Sequence, residues 1–168
     1  MTDPVDPTEA LVRHAEAVAT VRAFAERSGA ERVVLLVDPG DGGRAAMLDC
    51  AASGVLELTD GERHWELPAT ATPAAEPREL PDVRPVPATA IALDTETGEL
   101  EAPLGTVAHL ARAVLGLARA FGGRSVATAD FPTRDPELPL TIAAREGEPF
   151  VVAAGDKRFV LPHEALGS

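Results

Sequence analysis

What this chain lacks narrows its chemistry before any motif is considered. It carries one cysteine among 168 residues, so it forms no internal disulfide and no site built from several thiolates. That residue, Cys50, sits in "MLDCAAS" among small apolar neighbours and reads as a buried small hydrophobe rather than a nucleophile. Serine is scarce and no G-x-S-x-G elbow occurs, which removes the commonest hydrolase arrangement. Positive charge is also scarce: 15 basic residues face 27 acidic ones, a formal net charge of −12. Such a chain is repelled by nucleic acid and by anionic lipid, so neither is an expected partner. No apolar run approaches the roughly 18 residues that cross a bilayer, and "MTDPVDPTEA" has no apolar signal core. A cytoplasmic location is the resulting expectation.

What is present is ordinary globular patterning. Apolar content is 45%, enough for one well-cored domain or for two small halves sharing a core. Leu11, Ala15, Val18, Val21 and Ala25 recur at three- and four-residue steps and predict a helix over residues 8–28. "ERVVLLVD" and "GRAAMLDCA" read as strands, and "GVLELTDGERHWELP" as a hairpin turning at Asp60-Gly61. Residues 68–87 hold six prolines and no period, the mark of an extended, surface-hugging linker with few apolar contacts. A short strand "TAIALDT" with a turn at Thr97-Gly98 comes next. A helix over about 106–121 follows, stopped by Gly122-Gly123. The remainder, "SVATADF", "LPLTIAA", "PFVVAAG" and "RFVLP", predicts an antiparallel meander.

Each half therefore reads as one helix followed by four strands, and a shift of 94 residues lays one half on the other. "GERHWELP" falls on "GDKRFVLP", Leu48 on Ile142, Leu56 on Phe150, Leu58 on Val152 and Trp65 on Phe159. A one-residue slip brings the helices into phase, with Leu11 on Leu104, Val21 on Val114 and Phe24 on Leu117. The expected fold is α+β: a single domain with an internal pseudo-duplication. A first unit at 8–68 and a second at 88–162, the latter with an extra leading strand, share one core across the linker at 69–87.

Two stretches hint at chemistry. "VDPGDGGRA" lacks the Lys and Ser/Thr of a phosphate loop, precedes a strand rather than the helix of a dinucleotide site, and places glycines where a calcium loop needs ligands. It reads as a hairpin connection. "IALDTETGELE" resembles the first motif of the DEDD exonucleases, in which an Asp-x-Glu at the end of a strand holds metal ions. The resemblance covers about seven residues. It implies Asp94 and Glu96 as ligands leaving one face of that strand. That family's further acidic motifs and its catalytic His or Tyr have no match downstream. No cofactor or metal is otherwise expected, because the four histidines are scattered and "HEALGS" lacks the second His of a zinc motif.

The remaining candidates are binding residues. His109, Arg112 and Arg119 share one helix face, which reads as a plain solvated surface or as a site for an anion or an acidic partner. Trp65 and Phe159 each follow a basic residue, His64 and Arg158, on the last strand of their half. They are expected to be core under the helices, or else to line a groove where the halves meet. The element order resembles that of GAF, roadblock and secretion-chaperone-like domains, which back antiparallel sheets with helices; the resemblance implies binding rather than catalysis. The expected function is a non-catalytic binding or adaptor module that contacts protein and self-associates. The alternative is a small-ligand sensor. An exposed apolar patch favours the first and an enclosed apolar pocket the second.

Overall fold

The computed structural model describes residues 7–38, 45–80, 82–94, 96–97, 99–122 and 124–162. Helices α1 (Pro7–Arg13) and α2 (Ala15–Ser28) lead into strands β1 (Arg32–Val37), β2 (Ala46–Ala51), β3 (Leu56–Asp60) and β4 (Arg63–Leu67). After the proline-rich stretch come a 3-10 turn (Ala88–Ala90), β5 (Ala92–Leu93), β6 (Leu100–Glu101) and α3 (Leu104–Arg119). The chain then forms β7 (Val126–Phe131), β8 (Leu140–Arg145), β9 (Phe150–Ala154) and β10 (Lys157–Leu161). The protein is α+β, with eight strands in one antiparallel sheet ordered β10-β9-β8-β7-β1-β2-β3-β4 and β5-β6 forming a separate ribbon.

Both four-strand meanders form as their patterns predict. Continuity between them comes from β1 pairing with β7, Val34 opposite Thr128. The outer hairpins close on two residues each, Gly61-Glu62 and Gly155-Asp156, since Asp60 pairs with Arg63 and Ala154 with Lys157. The β3–β4 turn therefore sits one residue later than the expected Asp60-Gly61. Its first position has φ +62°, and Gly155 has φ +59°. A positive φ at the first of two loop positions matches the right-handed twist of the flanking strands and favours glycine there. The connection expected at 39–44, the Gly98 and Gly123 turn positions and "HEALGS" lie outside the described residues; the strands flanking 39–44 do pair antiparallel.

The helices cover one face of the sheet. α2 packs on β1 and β2, α3 on β7 and β8, and the two helices touch. Between them lies one core that includes Phe24, Leu35, Leu48, Leu117 and Ile142, each fully buried. The single helix expected over residues 8–28 is bent at His14, whose φ of −117° and ψ of 28° leave the helical well. The His14 ring Nε2 lies 3.0 Å from Asp60 Oδ2, and the bend carries α1 across to β4. The stripe read from the sequence is rotated accordingly. Ala10, Ala17, Val18, Val21 and Phe24 are buried, while Leu11 and Ala25 sit at the margin of the core.

The proline-rich stretch has no regular secondary structure from Pro68 to Pro87 among its described residues, as its composition predicts. Its expected poverty in apolar contacts is corrected. Val83 is buried, and Leu80 and Val86 pack against the core. Polar clasps fix the rest: the Arg78 amide donates to Thr20 Oγ1 (2.9 Å), its Nε donates to Glu16 (2.7 Å), and its guanidinium lies 4.4 Å over the Phe121 ring. Arg22 donates to the carbonyls of Pro68 (2.8 Å) and Ala71. The stretch is a strap binding α2 to α3, and no described helix is long and apolar enough to cross a membrane.

Candidate functional site

Period two in the strands assigns every side chain of the sheet to one of two faces. The face toward the helices holds the buried positions of β1–β4 and β7–β9. On the opposite face no residue is buried. A one-sided antiparallel sheet ordinarily turns polar residues to water. Here half of that outer face is apolar. The registers set Val34, Thr128, Ala143, Val151 and Val160 side by side, one strand apart. A neighbouring row holds Val126, Leu36 and Met47. Val160, Met47 and Leu36 are among the largest exposed apolar side chains, at 61%, 43% and 37% exposure.

Beyond Val34 the first row continues as Asp49, Glu57 and Glu66, on β2, β3 and β4. Asp49 is neutralised by Arg32, whose Nε and a terminal nitrogen reach its two oxygens at 2.9 and 2.6 Å. That bidentate bond, followed by the attraction of Asp49, raises the Arg32 pKa; Asp130 and Glu57 add to it. Glu57 and Glu66 stand directly opposite one another with no ion pair among the described residues. Like charges in that position destabilise a sheet. Across the outer face one row thus passes from mainly apolar to acidic, with Asp130, Arg145 and Arg158 in the rows beside its apolar part.

The residues singled out from the sequence are not gathered into one site. Trp65 is core, 2% exposed, under α1 with the His14 ring centroid 6.3 Å away. Phe159 is only half-buried at the margin of the core. They occupy β4 and β10, the two opposite edges of the sheet, so the groove expected between them is excluded; the halves meet at β1 and β7 instead. His64 and Arg158 point to the outer face, His64 Nδ1 lying 3.1 Å from Thr59 Oγ1. On α3, His109 Nε2 accepts from the Arg84 amide (3.3 Å), and Arg119 lies 3.7 Å from Glu146. Arg112 is exposed and also has an interaction partner. This helix face holds the strap and the β8–β9 turn.

Asp94 and Glu96 do not leave one face of a strand. β5 ends at Leu93, and Asp94 Oδ1 accepts the amides of Glu96 (2.8 Å) and Thr97 (3.2 Å) in a side-chain-capped turn. Those two backbone bonds, with a side-chain bond from Thr97, hold the Asp94 carboxyl below the ordinary range. No group of three or more His, Cys, Asp or Glu placed to hold a metal occurs among the described residues. Burial raises the Cys50 thiol, opposed by nearby Arg22, so the thiolate is disfavoured. The concavities include a cleft of about 350 Å³ at the His14 bend, between Val12, Arg13, Arg78 and Phe121. Its charged groups are already paired, Arg13 with Glu9 and Arg78 with Glu16.

The outer-face residues were missed by a reading that followed core-facing parity. Their signal was in the complementary parity: "VATADF", "LTIAAR" and "FVVAA" put Val126, Ala143, Val151 and Ala153 outward, where an alternating strand should be polar. Comparison of the chain with models of known families, with curated proteins and with solved structures finds no match in any of the three.

Proposed function

We propose that this chain is a non-catalytic binding module that docks a protein partner on the outer face of its eight-stranded sheet. The observation that carries the reading is the row Val34, Thr128, Ala143, Val151 and Val160, apolar at every position but Thr128 and flanked by Leu36 and Met47, on a face no element covers among the described residues. Contiguous exposed apolar surface is costly to solubility and marks an interaction site. The alternative of a ligand sensor has no comparable support, because the His14 cleft is a surface feature lined by paired charges.

The same proposal includes the origin of so wide a face: two copies of one helix-plus-meander unit. Support comes from the ladders. Adding 94 to both members of Leu35↔Leu48, Leu48↔Leu58 and Leu58↔Trp65 gives Ala129↔Ile142, Ile142↔Val152 and Val152↔Phe159, which are the pairs of the other half. Val34 and Thr128, themselves 94 apart, pair directly, where a pseudo-twofold axis must pass. The halves differ where α1 covers Trp65 but no equivalent helix is described before α3, and where the β5-β6 ribbon is added.

A photoreactive side chain placed at Leu36 tests the docking reading in the cells that make the protein. It is expected to yield a discrete covalent adduct with a protein. The same group at Glu26, exposed on α2 in the helical layer, is expected to yield none. Absence of an adduct at Leu36, or equal labelling from Glu26, contradicts the reading.

A further inference from the structure

We infer that the partner is a basic amphipathic segment, apolar along its first turns and rich in lysine or arginine beyond them. The inference rests on the docking reading above and adds the chemistry of the occupant. The face is not uniformly apolar. Its longest row is apolar at four of five strands, with Thr128 the exception, and then carries Asp49, Glu57 and Glu66 on the next three. Adjacent strands lie about 4.8 Å apart, so the apolar part spans about 19 Å and the acidic part continues for roughly another 14 Å. A helix rising 1.5 Å per residue covers the first distance in about 13 residues and the second in about 9. Among the described residues only Asp49 is ion-paired, with Arg32, whose charge attracts Glu57 more weakly. The Glu57–Glu66 opposition costs stability in the free chain and is relieved by a cation laid between them.

Charge also decides among other occupants. A second copy of the chain stacked face to face fits badly. One in-plane twofold axis sets β10 over β4 and lays Val160 and Val151 on Glu66 and Glu57; the perpendicular one lays each acidic row on its own copy. Each arrangement desolvates carboxylates without partners. Anionic lipid and nucleic acid are repelled both by this row and by the net charge of −12. A cationic, partly apolar polypeptide meets both halves at once.

The test uses the full chain and three fluorescent 22-residue helical peptides of one design. Each is apolar over 13 residues, and its polar end carries lysine, glutamine or glutamate. The lysine peptide is expected to bind at least tenfold more tightly than the glutamine peptide, about 1.4 kcal/mol, with the difference shrinking as salt rises. The glutamate peptide is expected not to bind. Glu57→Gln with Glu66→Gln removes the tenfold preference while leaving the unfolding midpoint unchanged or higher. Glu26→Gln with Glu137→Gln, exposed elsewhere, preserves it. Equal binding of the lysine and glutamine peptides overturns the basic partner while leaving the docking face standing. Failure of all three to bind overturns it as well, and a dimer that Leu36→Glu dissociates makes the occupant a second copy.

Discussion

Replacing Trp65 with alanine is expected to destabilise the fold by about 3–5 kcal/mol, the range for removing a buried aromatic. The indole is 2% exposed, lies opposite Leu58 on β3, and is roofed by α1 with His14 tilted 58° against it. Its Nε1 has no hydrogen-bond partner among the described residues, so the loss is one of apolar packing and cavity formation. At roughly 2–4 °C per kcal/mol for a chain of this size, the melting temperature falls by about 10 °C. Phe159→Ala, at the register-equivalent position, is expected to cost much less, because the ring is half-buried and no described helix of the α1 kind roofs it. Urea unfolding followed by circular dichroism measures both, since the tryptophan itself cannot serve as the probe. Equal costs for the two variants would contradict the asymmetry assigned to α1.

The second large effect is expected on cutting the chain between its halves. Fragments 1–87 and 88–168 are each expected to lack a cooperative monomeric unfolding transition, and to regain one when mixed in equal amounts. Each cut fragment exposes a central strand: β1 loses its ladder to β7, and the fully buried Leu35 loses its neighbour Ala127. The contact between α2 and α3 is lost with it. Chains of about 80 residues seldom draw more than 3–5 kcal/mol from a single core, a margin this exposure consumes. In the intact chain, Leu48→Ala and Ile142→Ala, one in each half, are expected to lower the same single transition by about 2–5 kcal/mol each. A sharp transition in either isolated monomeric fragment, or two transitions in the intact chain, would contradict a shared core.

How far the sequence reveals this molecule depends on the range of the forces involved. The two meanders and α3 are legible because alternation, turn glycines and helical period are local signals. So are the outer-face positions of Val126 and Val151, once the polar parity is inspected rather than the apolar one. The bend at His14 is not legible: the period runs through it unbroken, and the partner that His14 meets there, Asp60, is 46 residues away. The burial of Val83 in the strap is hidden for a similar reason, since proline composition reports stiffness and not what the chain lies against. Trp65 and Phe159 show the limit most plainly. Their register was readable from the shift of 94, but the pairing of β1 with β7, which sends them to opposite edges, is a tertiary fact. The acidic row is of the same kind, because Asp49, Glu57 and Glu66 become neighbours only through two ladders.

The proposed docking face is tested most directly by methyl NMR spectra of the intact chain, recorded while the lysine-ended peptide is added. The account predicts shifts concentrated on the methyl groups of Leu36, Met47, Val126, Val151 and Val160, saturating together with a single affinity. Val12, which is 75% exposed but lies on α1, should stay in place. Shifts gathered at Val12 and the His14 cleft, or spread evenly over the surface with no saturation, would contradict the assignment of the outer sheet face as the binding site.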